Sequence, residues 1–474
     1  MTETITERLA DFAVSADAAA LPEAVVNESQ RLLLDTLGCA VASLGEQGAD
    51  AAVRYGRILG GPSGPASILG TSFTTSEAGA AFANAELVNA LDQDPILPPG
   101  HVTPYVMPAA LAAAEAKGVD GLTLLQAVAV SHEMSFRFGK AVDYLRDIKN
   151  GVVTIPPVIG YSCTIFGGTA AVGIVRSLTS EAVASALGIA ASTTPVNAQR
   201  SWIAHSPPTT IKYQLAGGMA TSALAAAYLA EFGHRGDREI LDDREFGYPR
   251  FIGTSRWEPA NLTQGLGEEW LFPGSQSYKP YPHCRILHAL LDGLSDVVET
   301  NDIKPDEIDQ IRAWGESWVF EPLWLNTQIG AVRDAQFSMA HGLALGAHRI
   351  PPSKRWQQGD VVFDPSVLSL MDRVTYEAHP DYDRAFGADS LARMSRVEVS
   401  ARGEVFTADR SYPKGSPSPD AHTYMTDAEL EAKFRRNVAE VVSDEHADTV
   451  IDMVSKLRDV MDVGEIIRLL RPGA

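Results

Sequence analysis

Gly217-Gly218-Met219-Ala220-Thr221-Ser222-Ala223-Leu224-Ala225-Ala226-Ala227-Tyr228-Leu229-Ala230 is the stretch on which the architecture turns. It carries no charge and is rich in alanine, the best helix former. Gly218, Ala220, Ala223 and Ala226 are all small, and small residues let helices approach closely. The stretch therefore predicts a helix packed tightly among other helices. Working outward, Thr179-Ser180-Glu181 opens a helix to about Ala191, and Thr74 with Glu77 makes a T-x-x-E capping box before an Ala-rich run to Leu91. Up to about residue 250 the chain reads as helices with small faces.

The texture changes after Trp270. Pro273, Pro280 and Pro282 crowd a loop, and Pro305 opens a helical turn ending near Ile308. Val374, Tyr376 and Ala378 alternate, as do Val397, Val399 and Ala401, and Arg402-Gly403 turns the chain before Val405. Period two predicts strands. Pro413 to Pro419 reads as a linker, and Thr426 with Glu429 caps a helix bearing Leu430, Phe434 and Val438. The expected fold is mainly α: a helical domain over 1–268, a smaller α+β domain over 269–418, and helices over 419–474 that return to the first domain.

The chain has 474 residues, 45% hydrophobic and 21% charged, with a formal net charge of −21. That length predicts more than one domain. Such a field repels nucleic acid and anionic membranes, so neither is expected as a partner. An anionic substrate would need a locally basic pocket. Cys39, Cys163 and Cys284 form no CxxC pair, which fits a reducing compartment. The acidic Met1–Glu7 start has no signal-peptide pattern, and the uncharged runs 151–175 and 213–230 are too rich in Pro, Gly and small residues to read as membrane spans. A cytoplasmic location is expected. His132-Glu133 lacks a histidine at the metalloprotease spacing, and no nucleophile elbow, phosphate loop, dinucleotide fingerprint or metal-ligand spacing occurs. Chemistry by side chains alone, without metal or cofactor, is the expectation.

Three segments remain. In Leu91-Asp92-Gln93-Asp94-Pro95-Ile96-Leu97-Pro98-Pro99-Gly100-His101, a helix ends near Asp92 and a proline-rich loop presents a histidine, the commonest acid–base group. The ordinary alternative is loop-capping aspartates and a surface histidine. In Thr209-Thr210-Ile211-Lys212-Tyr213-Gln214-Leu215-Ala216-Gly217-Gly218, a lysine stands before a helix start whose N-terminus adds positive potential for a carboxylate. A solvated lysine is the alternative. In Tyr278-Lys279-Pro280-Tyr281-Pro282-His283-Cys284-Arg285-Ile286-Leu287-His288, two prolines stiffen a loop that carries Lys279, with Arg285 and His288 on the following helix. A rigid turn with a core His288 is the alternative.

Together and in this order the three segments resemble the MmgE/PrpD family, which includes 2-methylcitrate dehydratase, cis-aconitate decarboxylase and iminodisuccinate epimerase. The motif K-P-Y-P-x-C-R-x-x-H, here Lys279 to His288, carries the resemblance furthest, with Lys212 before G-x-x-A next. Asp334 to Ser338 resembles the segment that closes over the family site, with His341 where some members have tyrosine. The resemblance implies a large helical domain and a smaller α+β lid with the site between them, a homodimer, no cofactor and a small carboxylate substrate. It matches Asp92 and His101 to the family's acid and histidine, and Lys212 and Lys279 to its two site lysines.

The chain departs from the family where D-F-D-D-T-H becomes Asp92-Gln93-Asp94-Pro95-Ile96-Leu97. A second family histidine, expected near Ile155 to Val158, is replaced by Thr154-Ile155-Pro156-Pro157-Val158. The expected chemistry is proton abstraction next to a carboxylate or carbonyl. His101, oriented by Asp92, moves the proton, and Lys212 and Lys279 neutralise the developing charge. Tyr281, Arg285, His288 and His341 are the expected substrate contacts. Loss of water, loss of carbon dioxide, epimerisation, hydrolytic ring opening and binding without turnover all stay open.

Overall fold

The computed structural model describes residues 3–143, 146–196, 199–212 and 215–473; Tyr213 and Gln214 of the second segment lie outside them, as do Met1 and Thr2. The chain is mainly helical. Helices Glu77–Ala90, Thr103–Lys117, Gly121–Ala141, Thr164–Val175, Ser180–Thr193 and Ala216–Glu231 pack against one another. Every residue of Thr164–Val175 is buried, so the apolar run there is the centre of the bundle. Among the described residues no helix is long and apolar enough to cross a membrane.

The small-residue helix packs as its composition predicts. A Cβ on Gly217 would lie 2.6 Å from the Phe82 ring on Glu77–Ala90. Gly217→Ala is therefore expected to cost about 1–3 kcal/mol through overpacking. Urea unfolding checks this, and an unchanged midpoint would refute it.

One helix start differs from expectation. Thr74 sits in a short strand paired with Ser67, and Ser76 caps the helix by accepting the Gly79 N–H. The Thr179 and Thr426 caps form as expected.

The smaller unit holds a four-stranded sheet in the order 374–378, 308–315, 395–401, 404–410. The first pair is parallel and the others antiparallel. Ile308–Gly315 is a strand that the alternation rule does not find: a register shift between Ile308 and Gln310 breaks its period. Helix His288–Thr300 covers the sheet. Helix Asp427–Val438 lies along Glu23–Ala42, and Lys433 pairs with Asp35 at 2.7 Å where they meet.

Candidate active site

The loop after Glu77–Ala90 bends at once, because Asp92 takes a left-handed backbone (φ 56°) that aspartate tolerates. Backbone bonds between Ile96 and Ser277, 2.8 and 2.9 Å, join this loop to the one bearing Lys279. Gly100 allows the close approach that sets His101. Its φ is +149°, and a Cβ there would overlap the Tyr161 hydroxyl.

Asp92 is wholly buried and receives both lysines. Lys279 Nζ is 2.6 Å from Oδ2 and Lys212 Nζ 3.3 Å from Oδ1. Lys212 also donates to the Asn89 carbonyl. The two lysines are thus partners of a protein carboxylate and are not among the residues lining the cavity described below. Each ammonium places a donor against Asp92. The helix N-terminus next to Lys212 is occupied too, since Glu86 Oε1 accepts the Gly217 N–H at 2.8 Å.

His101 is buried, not a surface residue. The carboxylate that orients it is Asp94, whose Oδ2 lies 2.7 Å from Nδ1. Asp92 stands 3.6 Å from Nε2, beyond hydrogen-bond reach. Asn89 Nδ2 donates to the other Asp94 oxygen at 3.3 Å. The spacing of two acids in one loop signals this arrangement, but not which acid does which task.

Electrostatics follow from burial and charge. Burial works to raise the Asp92 carboxyl, but Lys279, Lys212 and His101 outweigh it and hold it well below the carboxylate range. Burial lowers the Lys212 amine against the pull of Asp92 and Asp94. Burial pushes the Cys284 thiol up to about 11, which leaves it protonated and a poor nucleophile.

The carbonyls at the end of Glu77–Ala90 are taken by the smaller unit. Arg333 and Gln336 donate to Ala90 O at 3.1 and 2.9 Å, and Gln357 to Leu91 O at 2.9 Å. The Asp334–Ser338 region therefore clamps the backbone from which Asp92 projects. Arg333 and Gln357 were not singled out in the sequence, because their partners are distant backbone atoms.

A cavity of about 190 Å³ opens against His101 and lies between the two units. Tyr161, Trp202, Trp318 and Trp324 form much of its wall, and Arg285 reaches it. The other three expected substrate contacts do not line it. The Tyr281 hydroxyl donates to Asp292 at 2.9 Å, His288 Nε2 meets His283 O at 3.0 Å, and His341 Nε2 meets Val362 O at 3.0 Å. All three are packed into the small unit's own framework. Ile155 to Val158 are not in the wall either. The polar residue on that side is Tyr161, its ring 6.4 Å from that of His101 and tilted by 26°. Burial raises the Tyr161 hydroxyl, so it stays protonated.

Residues 7–260 match the MmgE/PrpD N-terminal domain and residues 281–459 the MmgE/PrpD C-terminal domain. The chain is 24% identical to the cis-aconitate decarboxylase of Mus musculus over 490 residues, covering 99% of this chain and 94% of the relative. It is 24% identical to that of Homo sapiens over 488 residues, covering 99% and 95%.

Proposed function

The chain belongs to the MmgE/PrpD family, and from that premise we propose that it is a lyase of the decarboxylase or dehydratase type acting on a small carboxylate. One observation carries the reading: His101, its Nδ1 fixed by Asp94 at 2.7 Å, stands at the wall of a cavity large enough for a small acid. With Nδ1 engaged, Nε2 is the nitrogen that exchanges a proton with substrate. Asp92 Oδ1 lies 3.6 Å from that nitrogen. Lys279 and Lys212 act through Asp92, fixing its position and preventing its negative charge from dominating the site.

The decarboxylase direction is the first reading, supported by the relatives along almost the whole chain. In it the bond to a substrate carboxyl breaks, carbon dioxide departs, and the electron pair left on carbon takes the proton from His101 Nε2. Dehydration would use the same ring in the opposite sense: Nε2 removes a proton from carbon while hydroxide leaves, protonated by a second donor. The Tyr161 hydroxyl is the donor on the cavity wall suited to that step.

Incubation with cis-aconitate and a panel of unsaturated and hydroxy acids in deuterated water separates these outcomes by product mass. The expected result is loss of carbon dioxide with one deuterium gained on carbon. Loss of water would select the dehydratase. An unchanged skeleton with deuterium exchange would overturn the lyase reading in favour of an epimerase, and no turnover would overturn it in favour of a binding protein.

A further inference from the structure

Helix Asp427–Val438 carries a lysine to the loop that bears both aspartates. It packs on Glu23–Ala42 so closely that a Cβ on Gly38 would lie 3.0 Å from the Phe434 ring. Lys433, next in sequence to that ring, is buried and does not line the cavity. Its Nζ lies 2.7 Å from Asp35 Oδ1, and Asp35 is buried as well. A lysine is almost never fully buried unless paired, and Asp35 supplies the pair. The same amine also donates to the Gln93 carbonyl at 2.7 Å. That second bond brings it into the frame of the candidate site.

Gln93 stands between Asp92 and Asp94, and its carbonyl belongs to the peptide from which Asp94 starts. Asp92 turns the chain with its left-handed backbone just before this peptide. Upstream, the Asp92 N–H is tied to Asn89 O at 3.2 Å; downstream, Ile96 is tied to Ser277. Between those ties Lys433 is the strong donor. The Cys39 thiol also faces Gln93 O, at 3.5 Å, but S–H is a weak donor. A buried carbonyl that loses its donor carries a desolvation cost, which a turn of the peptide would relieve. Such a turn would carry the Asp94 carboxylate away from His101 Nδ1, now 2.7 Å from Oδ2, and from Asn89 Nδ2, 3.3 Å from Oδ1.

Resting on the reading of His101 as the acid–base group, we propose that Lys433 is a positioning residue: through the Gln93 carbonyl it holds Asp94, and with it the His101 ring, in the working geometry. Asp35 keeps the amine in place. A helix 340 residues along the chain from Gln93 is thereby part of the site's framework.

Three variants separate positioning from stability. Lys433→Met is expected to lower the urea midpoint, because Asp35 is left buried without its partner. The double variant Asp35→Leu/Lys433→Met removes that orphaned charge and is expected to recover the midpoint. In both, kcat on whichever acid is turned over is expected to fall by about 10²-fold with KM little changed, the scale of a small misplacement of a reacting group. Asp35→Asn leaves the amine on Gln93 O and is expected to cost less kcat than Lys433→Met. Recovery of kcat together with the midpoint in the double variant would make the lysine merely structural and overturn the proposal. So would an Asp35→Asn loss of kcat equal to that of Lys433→Met. Should Lys433→Met fail to fold, the double variant carries the test.

Proton–nitrogen spectra of the full chain labelled at histidine give a readout that needs no substrate. The His101 Nδ1–H signal, identified by its loss in His101→Asn, is expected to move in the double variant and to move less in Asp35→Asn. An unmoved signal in the double variant would overturn the proposal. A displaced signal with no acid ever turned over by the wild type would sink the lyase reading and keep this one; turnover by the wild type with an unmoved signal in the double variant would do the reverse.

Discussion

His101→Asn is expected to lower kcat on whichever acid is turned over by about 10²–10⁴-fold, the usual worth of a positioned acid–base group. Asparagine keeps the polar contact to Asp94 at the Nδ1 position but has no group that titrates near neutrality. KM should change little, because His101 forms only a small part of the cavity wall. Asp94→Asn is expected to cost less. The ring stays in place, but the amide no longer stabilises the charged imidazolium that Asp94 Oδ2 contacts at 2.7 Å. The size of the loss in kcat separates the two roles. A His101→Asn enzyme with full kcat would refute the role of the ring, and an Asp94→Asn enzyme with full kcat would refute the role of its partner.

How much of this was legible in the sequence depends on distance along the chain. The alanine-rich helix around Gly217 could be read because its packing demand is local: small residues at helical spacing need no knowledge of the neighbour. The strand Ile308–Gly315 could not, since its burial pattern skips a residue at a bulge set by pairing with 395–401. The T-x-x-E at Thr74 matched a helix start, yet Ser76 lies nearer the first turn and takes the cap while Thr74 pairs with Ser67. In the site, Lys212 and Lys279 meet Asp92 across 120 and 187 residues. Residue types suggested that these groups matter; only the fold shows that both amines turn toward one carboxylate. The division of labour between Asp92 and Asp94 hinges on one left-handed residue, which no spacing rule encodes. Arg146 and Arg393 join the cavity through Glu316, a partner in the other unit for the first and in the same unit for the second. No motif links those three positions.

Lys279→Met is expected to be the most damaging single change for stability. Lys279 is completely buried, and its ammonium is 2.6 Å from an equally buried Asp92 carboxylate. Removing one partner takes the nearest ammonium from a buried carboxylate, and breaking such a pair typically costs about 3–5 kcal/mol. The pH dependence has a definite sign. In the folded wild type the Asp92 carboxyl is held below its unfolded value of about 4, so its stabilisation is complete above that pH and is lost as pH falls toward the folded pKa. Burial alone pushes the carboxyl up. Without Lys279 the folded pKa rises, the stabilising window narrows, and the acid limb of unfolding moves to higher pH. Asp92→Asn in the Lys279→Met background removes the orphaned charge and should recover part of the loss, a coupling that two independent sites would not show. Urea unfolding of wild type, Lys279→Met, Asp92→Asn and the double variant from pH 3 to 7 measures both effects. A Lys279→Met chain as stable as wild type with the same acid limb, or a double variant no better than the single, would mean that the lysine does not hold Asp92 in its charged form. His101 would then owe nothing to the residue 3.6 Å from its Nε2 being kept ionised.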